Sequence, residues 1–149
     1  METSNKTIEN NKKIARQSFE SFEKKDTKLL DSISDQSKFK LHFPGISDSL
    51  NYEASKNINK EYNNAFPDAK VTIDLQIAEG EYVATRITYS GTHKGTLNGV
   101  PASNKRAKVS GMSIQRIVNG KIVEQWNEFD ALGMMQQIGA IHETIEQHH

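Results

Sequence analysis

Asp130, His42, His93 and Arg116 are the residues whose side chains are best suited to move a proton or hold a polar ligand. Asp130 follows Trp126 and Phe129 and precedes Leu132, so its carboxyl group stands among apolar neighbours, a setting that suits proton transfer. It also directly precedes Ala131-Leu132-Gly133, where an aspartate caps a helix by accepting from its first backbone N–H groups. His42 and His93 stand beside turn glycines at the ends of expected elements, where pocket mouths are built. An imidazole there can donate to a carbonyl or shuttle a proton, although a lone loop histidine is more often an ordinary turn residue. Arg116 can hold a substrate acid or form an exposed cross-strand pair with a glutamate. No His-x-x-x-His or Glu-x-x-His spacing groups these residues as metal ligands, so no metal site is expected. Cysteine is absent, which removes thiol nucleophiles and disulfides. Gly95 and Gly99 follow a strand but open no helix with Lys-Ser/Thr behind them, so they make no phosphate loop.

The elements that must position these groups change character along the chain. Ile8, Ala15, Phe19 and Phe22 form one helical stripe, and Asp26 is placed to cap a short helix through Leu29, Leu30 and Ile33. Residues 38–43 read as a short extended segment stopped by Pro44-Gly45. Ala54, Ile58, Tyr62, Ala65 and Phe66 mark a third helix, which Pro67 ends. Beyond Asp68 the period becomes two: Val71, Ile73, Leu75 and Ile77 alternate with polar residues, as in a strand with one buried face. Further strands are expected over 82–90, 106–118 and 121–129, with a bulge or close approach at Gly111. Asn119-Gly120 is a strong hairpin signal, and a helix containing Leu132, Met135 and Ile138 closes the order. Helices, then an antiparallel meander, then a helix make an α+β domain spanning residues 1–149.

With a two-residue turn at Asn119-Gly120, Ile117 faces Ile122 and Arg116 faces Val123. Parity then puts Trp126 and Asp130 on one face of the sheet, and Arg116, Met112 and Asn127 on the other. Without a bulge these residues do not all line one pocket. A sheet curled around three helices makes a cone with a pocket at its mouth, and its other face is left for a partner, most simply a second copy.

Composition bounds the partners. Of 149 residues, 35% are hydrophobic and 26% charged, with 19 basic against 19 acidic side chains. Such balance supplies no field for nucleic acid or an anionic membrane surface, and neither partner is expected. No apolar run approaches the roughly 20 residues of a membrane helix, and the N-terminus lacks the layout of a signal peptide. A cytoplasmic protein is the expectation.

Several short segments between residues 42 and 139 carry a resemblance. They are His42-Phe43-Pro44-Gly45, Ala65-Phe66-Pro67-Asp68, Ile77-Ala78-Glu79-Gly80-Glu81 and Gly91-Thr92-His93-Lys94-Gly95. Asn98-Gly99-Val100-Pro101-Ala102, Asn119-Gly120-Lys121-Ile122-Val123-Glu124, Trp126-Asn127-Glu128-Phe129-Asp130 and Leu132-Gly133-Met134-Met135-Gln136-Gln137-Ile138-Gly139 follow. In order and spacing they resemble the SnoaL-like polyketide cyclases and the related ester cyclases of the nuclear transport factor 2-like superfamily. The resemblance implies a cone-shaped α+β fold and a small, largely apolar carbonyl substrate, while the homodimer is expected from the sheet face left uncovered. It implies acid/base ring closure or isomerisation without metal or organic cofactor, with Asp130 as acid/base. Beside it, His42, His93 and Trp126 are candidates for substrate contact from their own chemistry and position, and Arg116 and Asn127 are candidates on condition that a bulge brings them to the same pocket. Related sequences often carry Asp where this chain has Asn127, and the polar N-terminal third also departs from theirs. The fold also hosts binding and accessory modules without turnover, which is the alternative reading.

Overall fold

A computed structural model describes residues 4–141. Among them the chain forms α1 (Asn5–Lys24), α2 (Thr27–Ser32), β1 (Lys40–His42), α3 (Tyr52–Ala65), β2 (Lys70–Glu79), β3 (Tyr82–Thr92), β4 (Arg106–Val118), β5 (Lys121–Phe129) and α4 (Ala131–Gln137). The sheet runs β1-β5-β4-β3-β2. β1 lies parallel to β5, and every other pairing is antiparallel. The curled sheet carries the helices on its concave side, giving the α+β arrangement that the sequence implied. No helix among the described residues is long and apolar enough to cross a membrane.

Local chemistry starts each helix where the sequence signals it. Ser4, Asp26 and Asn51 each accept a backbone N–H in the first turn of α1, α2 and α3. Phe66 ends α3 in a non-helical conformation just before Pro67. The buried face of α1 contains Asn11, Ser18 and Ser21 beside Ile14 and Ala15. Ser18 and Ser21 are tolerated there because each hydroxyl donates to the carbonyl three residues back, at 2.6 and 2.7 Å.

The strands depart from simple alternation at two bulges. In β2 the pairing slips between Ile73 and Leu75. Val71 and Ile73 remain half-buried, while Leu75 and Ile77 turn to solvent at 58% and 61% exposure. The expectation of one buried face for all four is thereby corrected: an extra residue reverses the phase. In the β4–β5 hairpin, Asn119 and Gly120 take φ of 51° and 76° as a tight turn requires. Ile117 faces Ile122, but Arg116 then faces Glu124 rather than Val123. Gly111 holds no bulge. A Cβ there would lie 3.1 Å from the Glu128 carbonyl, so this is a close approach of backbones.

Two groups of buried side chains fill the cone. One gathers Ile14, Ile33, Leu41, Val83, Ile117 and Ile122. The other gathers Phe66, Tyr89, Leu97, Val109, Met134 and Ile138. Between them the concave side is incompletely filled.

Candidate functional site

The unfilled space is a cavity of about 160 Å³. Phe19 and Phe22 of α1, Tyr52 and Tyr62 of α3, Leu41, Phe43, Ile87, Tyr89 and Phe129 give it a largely apolar wall. Phe43, Tyr62 and Phe129 pack edge-to-face or tilted against one another with ring centroids 5.7 to 6.1 Å apart. The same three rings border a second space of about 300 Å³ lined by Pro44, Ile46, Glu61, Asn98, Ala131 and Met135. They therefore stand between an inner chamber and an outer one. Burial pushes the Tyr62 hydroxyl up to about 12, reinforced by the neighbouring Glu61 carboxylate and partly offset by Asn98. Burial raises Tyr89 as well, and its hydroxyl has no partner among the described residues. At neutral pH these rings present protonated hydroxyls.

Polar side chains enter this apolar space along one line, from the inward phase of β4 and β5. Gln115 is wholly buried, and its Nε2 donates to Ser18 Oγ at 2.9 Å and to Gln125 Oε1 at 3.0 Å. Gln125 Nε2 donates to Asn127 Oδ1 at 2.9 Å. Ser113 Oγ donates to the same oxygen, also at 2.9 Å. Ser18, Ser113, Gln125 and Asn127 all line the cavity. Sequence reasoning missed Ser18, Ser113, Gln115 and Gln125. The signal was available in β4, where Ala107, Val109 and Gly111 set an inward phase that Ser113 and Gln115 continue before Ile117.

The six residues singled out from sequence do not converge. Asn127 lines the cavity. Trp126, one residue away, points to the convex face, where its ring stacks on His42 at 5.2 Å between centroids, with planes 7° apart. His42 Nε2 lies 2.7 Å from Glu124 Oε2 on that same face. Arg116 joins them there and donates through Nε to Glu81 Oε1 at 2.9 Å. The parity that grouped Arg116 and Met112 with Asn127, opposite Trp126, is corrected by the β5 bulge, which turns Glu124, Trp126 and Glu128 to Arg116's side.

His93 is fully buried and absent from the cavity wall, contrary to its expected place at the mouth. The loop after β3 folds back: the Ser103 N–H donates to His93 Nδ1 at 3.2 Å, and Phe66 packs 5.6 Å from its ring. Its Nε2 is buried with no partner among the described residues. Asp130 is exposed and caps α4, its Oδ1 accepting from Gly133 N at 2.8 Å. It is not among the residues lining either chamber.

Solved structures share this fold. IdmH from Streptomyces antibioticus, a candidate polyketide cyclase, is 24% identical and superposes with a TM-score of 0.79 over 87% of this chain and 98% of its own. A candidate SnoaL-like polyketide cyclase from Jannaschia sp. CCS1 reaches a TM-score of 0.84 at 19% identity, covering 95% of this chain and 99% of its own. AclR from Streptomyces galilaeus, a candidate hydroxylase, gives 0.81 at 19% identity over 95% and 89%. At such identities the likeness establishes the fold, and neighbours assigned to two chemistries show why the fold does not select one. No curated protein matches the sequence. The family model described as SnoaL-like polyketide cyclase matches residues 12–138, nearly the whole cone with both chambers and the Ser18–Asn127 line, and the chain belongs to that family.

Proposed function

We propose that the inner chamber binds a small, largely apolar carbonyl compound and that the protein turns it over in a cyclase- or isomerase-type reaction by acid/base catalysis. The observation that carries this reading is the hydrogen-bonded polar line ending on Asn127 inside a largely apolar cavity, whose other polar lining residues include Ser55 and Asn59. A few placed polar groups in an apolar concavity are the usual build of a small-molecule site. Size narrows the ligand. A cavity of about 150 Å³ holds one benzene-sized ring, so a chamber of about 160 Å³ takes a comparable group. A longer substrate would extend past Phe43, Tyr62 and Phe129 into the outer chamber.

Within this reading Asn127 contacts the substrate, and Asp130, which stands between Phe129 and Ala131 of the outer chamber's wall and lines neither chamber itself, is the proposed proton-transfer group for a substrate that reaches past them. The exposed, helix-capping position of Asp130 favours a second reading, in which the same chamber binds its ligand without turnover. Compounds retained by the purified protein, identified by mass spectrometry, supply the substrate for the deciding assay. Asp130→Asn keeps the cap and removes the titrating group, so the enzyme reading expects turnover to fall by about 10²–10⁴-fold. Full activity in this variant removes Asp130 from the chemistry.

The convex face belongs to the same proposal as a homodimer surface. Leu75, Ile77, Tyr82, Met112 and Ile114 are exposed there across three adjacent strands, and a second copy is the partner that covers such a face with itself.

A further inference from the structure

We propose that Asn127 meets the ligand as a hydrogen-bond donor, so that the compound in the inner chamber presents an acceptor oxygen, a carbonyl or an enolate, at that point. The proposal rests on reading the inner chamber as the ligand site and adds the polarity of the contact that Asn127 makes there. That polarity is set far from Asn127. Ser18 Oγ lies 2.6 Å from the Ala15 carbonyl oxygen. Two oxygens this close need a proton between them, and a carbonyl has none to give, so the single hydroxyl proton of Ser18 is committed there. Gln115, 2.9 Å away, therefore meets Ser18 with its amide nitrogen and not its oxygen. The second proton of that nitrogen goes to Gln125 Oε1. With its oxygen facing Gln115, Gln125 turns its Nε2 toward Asn127 and donates to Oδ1. Ser113 supplies a second donor to the same oxygen.

Asn127 Oδ1 thus accepts twice, while Nδ2 has no hydrogen-bond partner among the described residues and belongs to a side chain on the cavity wall. Each link fixes the next, from a backbone carbonyl in α1 to an N–H pair in the chamber. The arrangement leaves Gln115 Oε1 buried without a partner. Reversing the Gln115 amide would set its oxygen 2.9 Å from Ser18 Oγ, whose one proton is held by Ala15, and would put the amide nitrogen where no partner stands. An amide N–H aimed into a dry cavity holds a carbonyl oxygen and gains strength as that oxygen takes up charge. Ser18 and Gln115 are positioning residues in this scheme, because neither needs to touch the ligand for its orientation to matter.

The test uses two compounds of nearly the same shape, acetophenone and ethylbenzene, which differ by one acceptor oxygen. In an NMR titration of the wild-type protein, both compounds move the Asn127 side-chain amide signals through their ring currents, and acetophenone alone adds the downfield displacement of a new hydrogen bond. Asn127→Asp keeps an oxygen for Ser113 and Gln125 and replaces the free N–H pair with an acceptor. In mildly alkaline buffer its preference for acetophenone over ethylbenzene falls by about 3- to 10-fold relative to wild type. Ser18→Ala releases the far end of the line and lowers the same preference, with ethylbenzene binding retained. If both compounds bind in the chamber and neither variant changes the preference, the donor assignment is overturned while the chamber stands as a ligand site. If neither compound binds there, the chamber reading falls and takes the proposal with it.

Discussion

On the concave side of the sheet, Ser113, Gln115, Gln125 and Asn127 are polar groups set among apolar ones; on the convex side, Leu75, Ile77, Met112 and Ile114 are apolar groups facing solvent. In β4 the two sets alternate, Met112 and Ile114 against Ser113 and Gln115, one residue out of phase. A buried polar group and an exposed apolar one each run against the ordinary sorting of side chains. The concave exceptions are joined by hydrogen bonds into one line, which is how a protein keeps polar groups in a dry space. The convex exceptions are contiguous but unjoined, as on a surface that meets another surface.

The comparison breaks most easily through paired truncations. Ile117→Ala removes a side chain 2% exposed in the core and should cost about 2–5 kcal/mol in chemical denaturation. Ile77→Ala, at 61% exposure, should cost no more than about 0.5 kcal/mol of protomer stability. Any larger effect of Ile77→Ala should appear as weaker self-association in sedimentation. Equal losses from the two variants would mean that the faces are not distinct.

A middle-sized effect belongs to Asp130, at the seam between strand and helix. Asp130→Ala loses the cap to Gly133 and should cost about 0.5–2 kcal/mol, whereas Asp130→Asn should change stability by no more than a few tenths. Thermal melts of both variants separate the capping contribution from any chemistry. The mildest probe is alkaline pH. Tyr62 is held at about 12 in the folded protein against an ordinary 10.0. Its contribution is therefore fully present below pH 10 and is lost as pH rises from 10 toward 12, because the unfolded chain gives up its proton first. Tyrosinate absorbance followed together with circular dichroism should show this ring ionising only as the fold loosens.

Much of the fold was legible because strong local signals agreed. Asp26 caps α2, Pro67 follows the end of α3, Asn119-Gly120 turns the hairpin, and the strands over 106–118 and 121–129 have the expected limits. The candidate site was less legible, and the reason is physical. A single inserted residue at Val123–Glu124 reverses which side chains enter the cone, and no residue type there announces it. Trp126, His42 and Arg116 looked like ligand contacts because of their chemistry, yet phase sends all three to the convex face. Gln115 and Gln125 were passed over, because a glutamine on a strand usually faces solvent. His93 stood beside a turn glycine as a mouth residue would, but the loop that follows folds over it.

The central claim is that the concave chamber, and not the aromatic cluster on the convex face, receives the ligand. A crystal structure of the protein grown with acetophenone tests it most directly. One molecule is expected among Phe22, Tyr62 and Phe129, its oxygen within hydrogen-bond distance of Asn127 Nδ2. Acetophenone seated against Trp126 and His42, with the chamber empty, would contradict it.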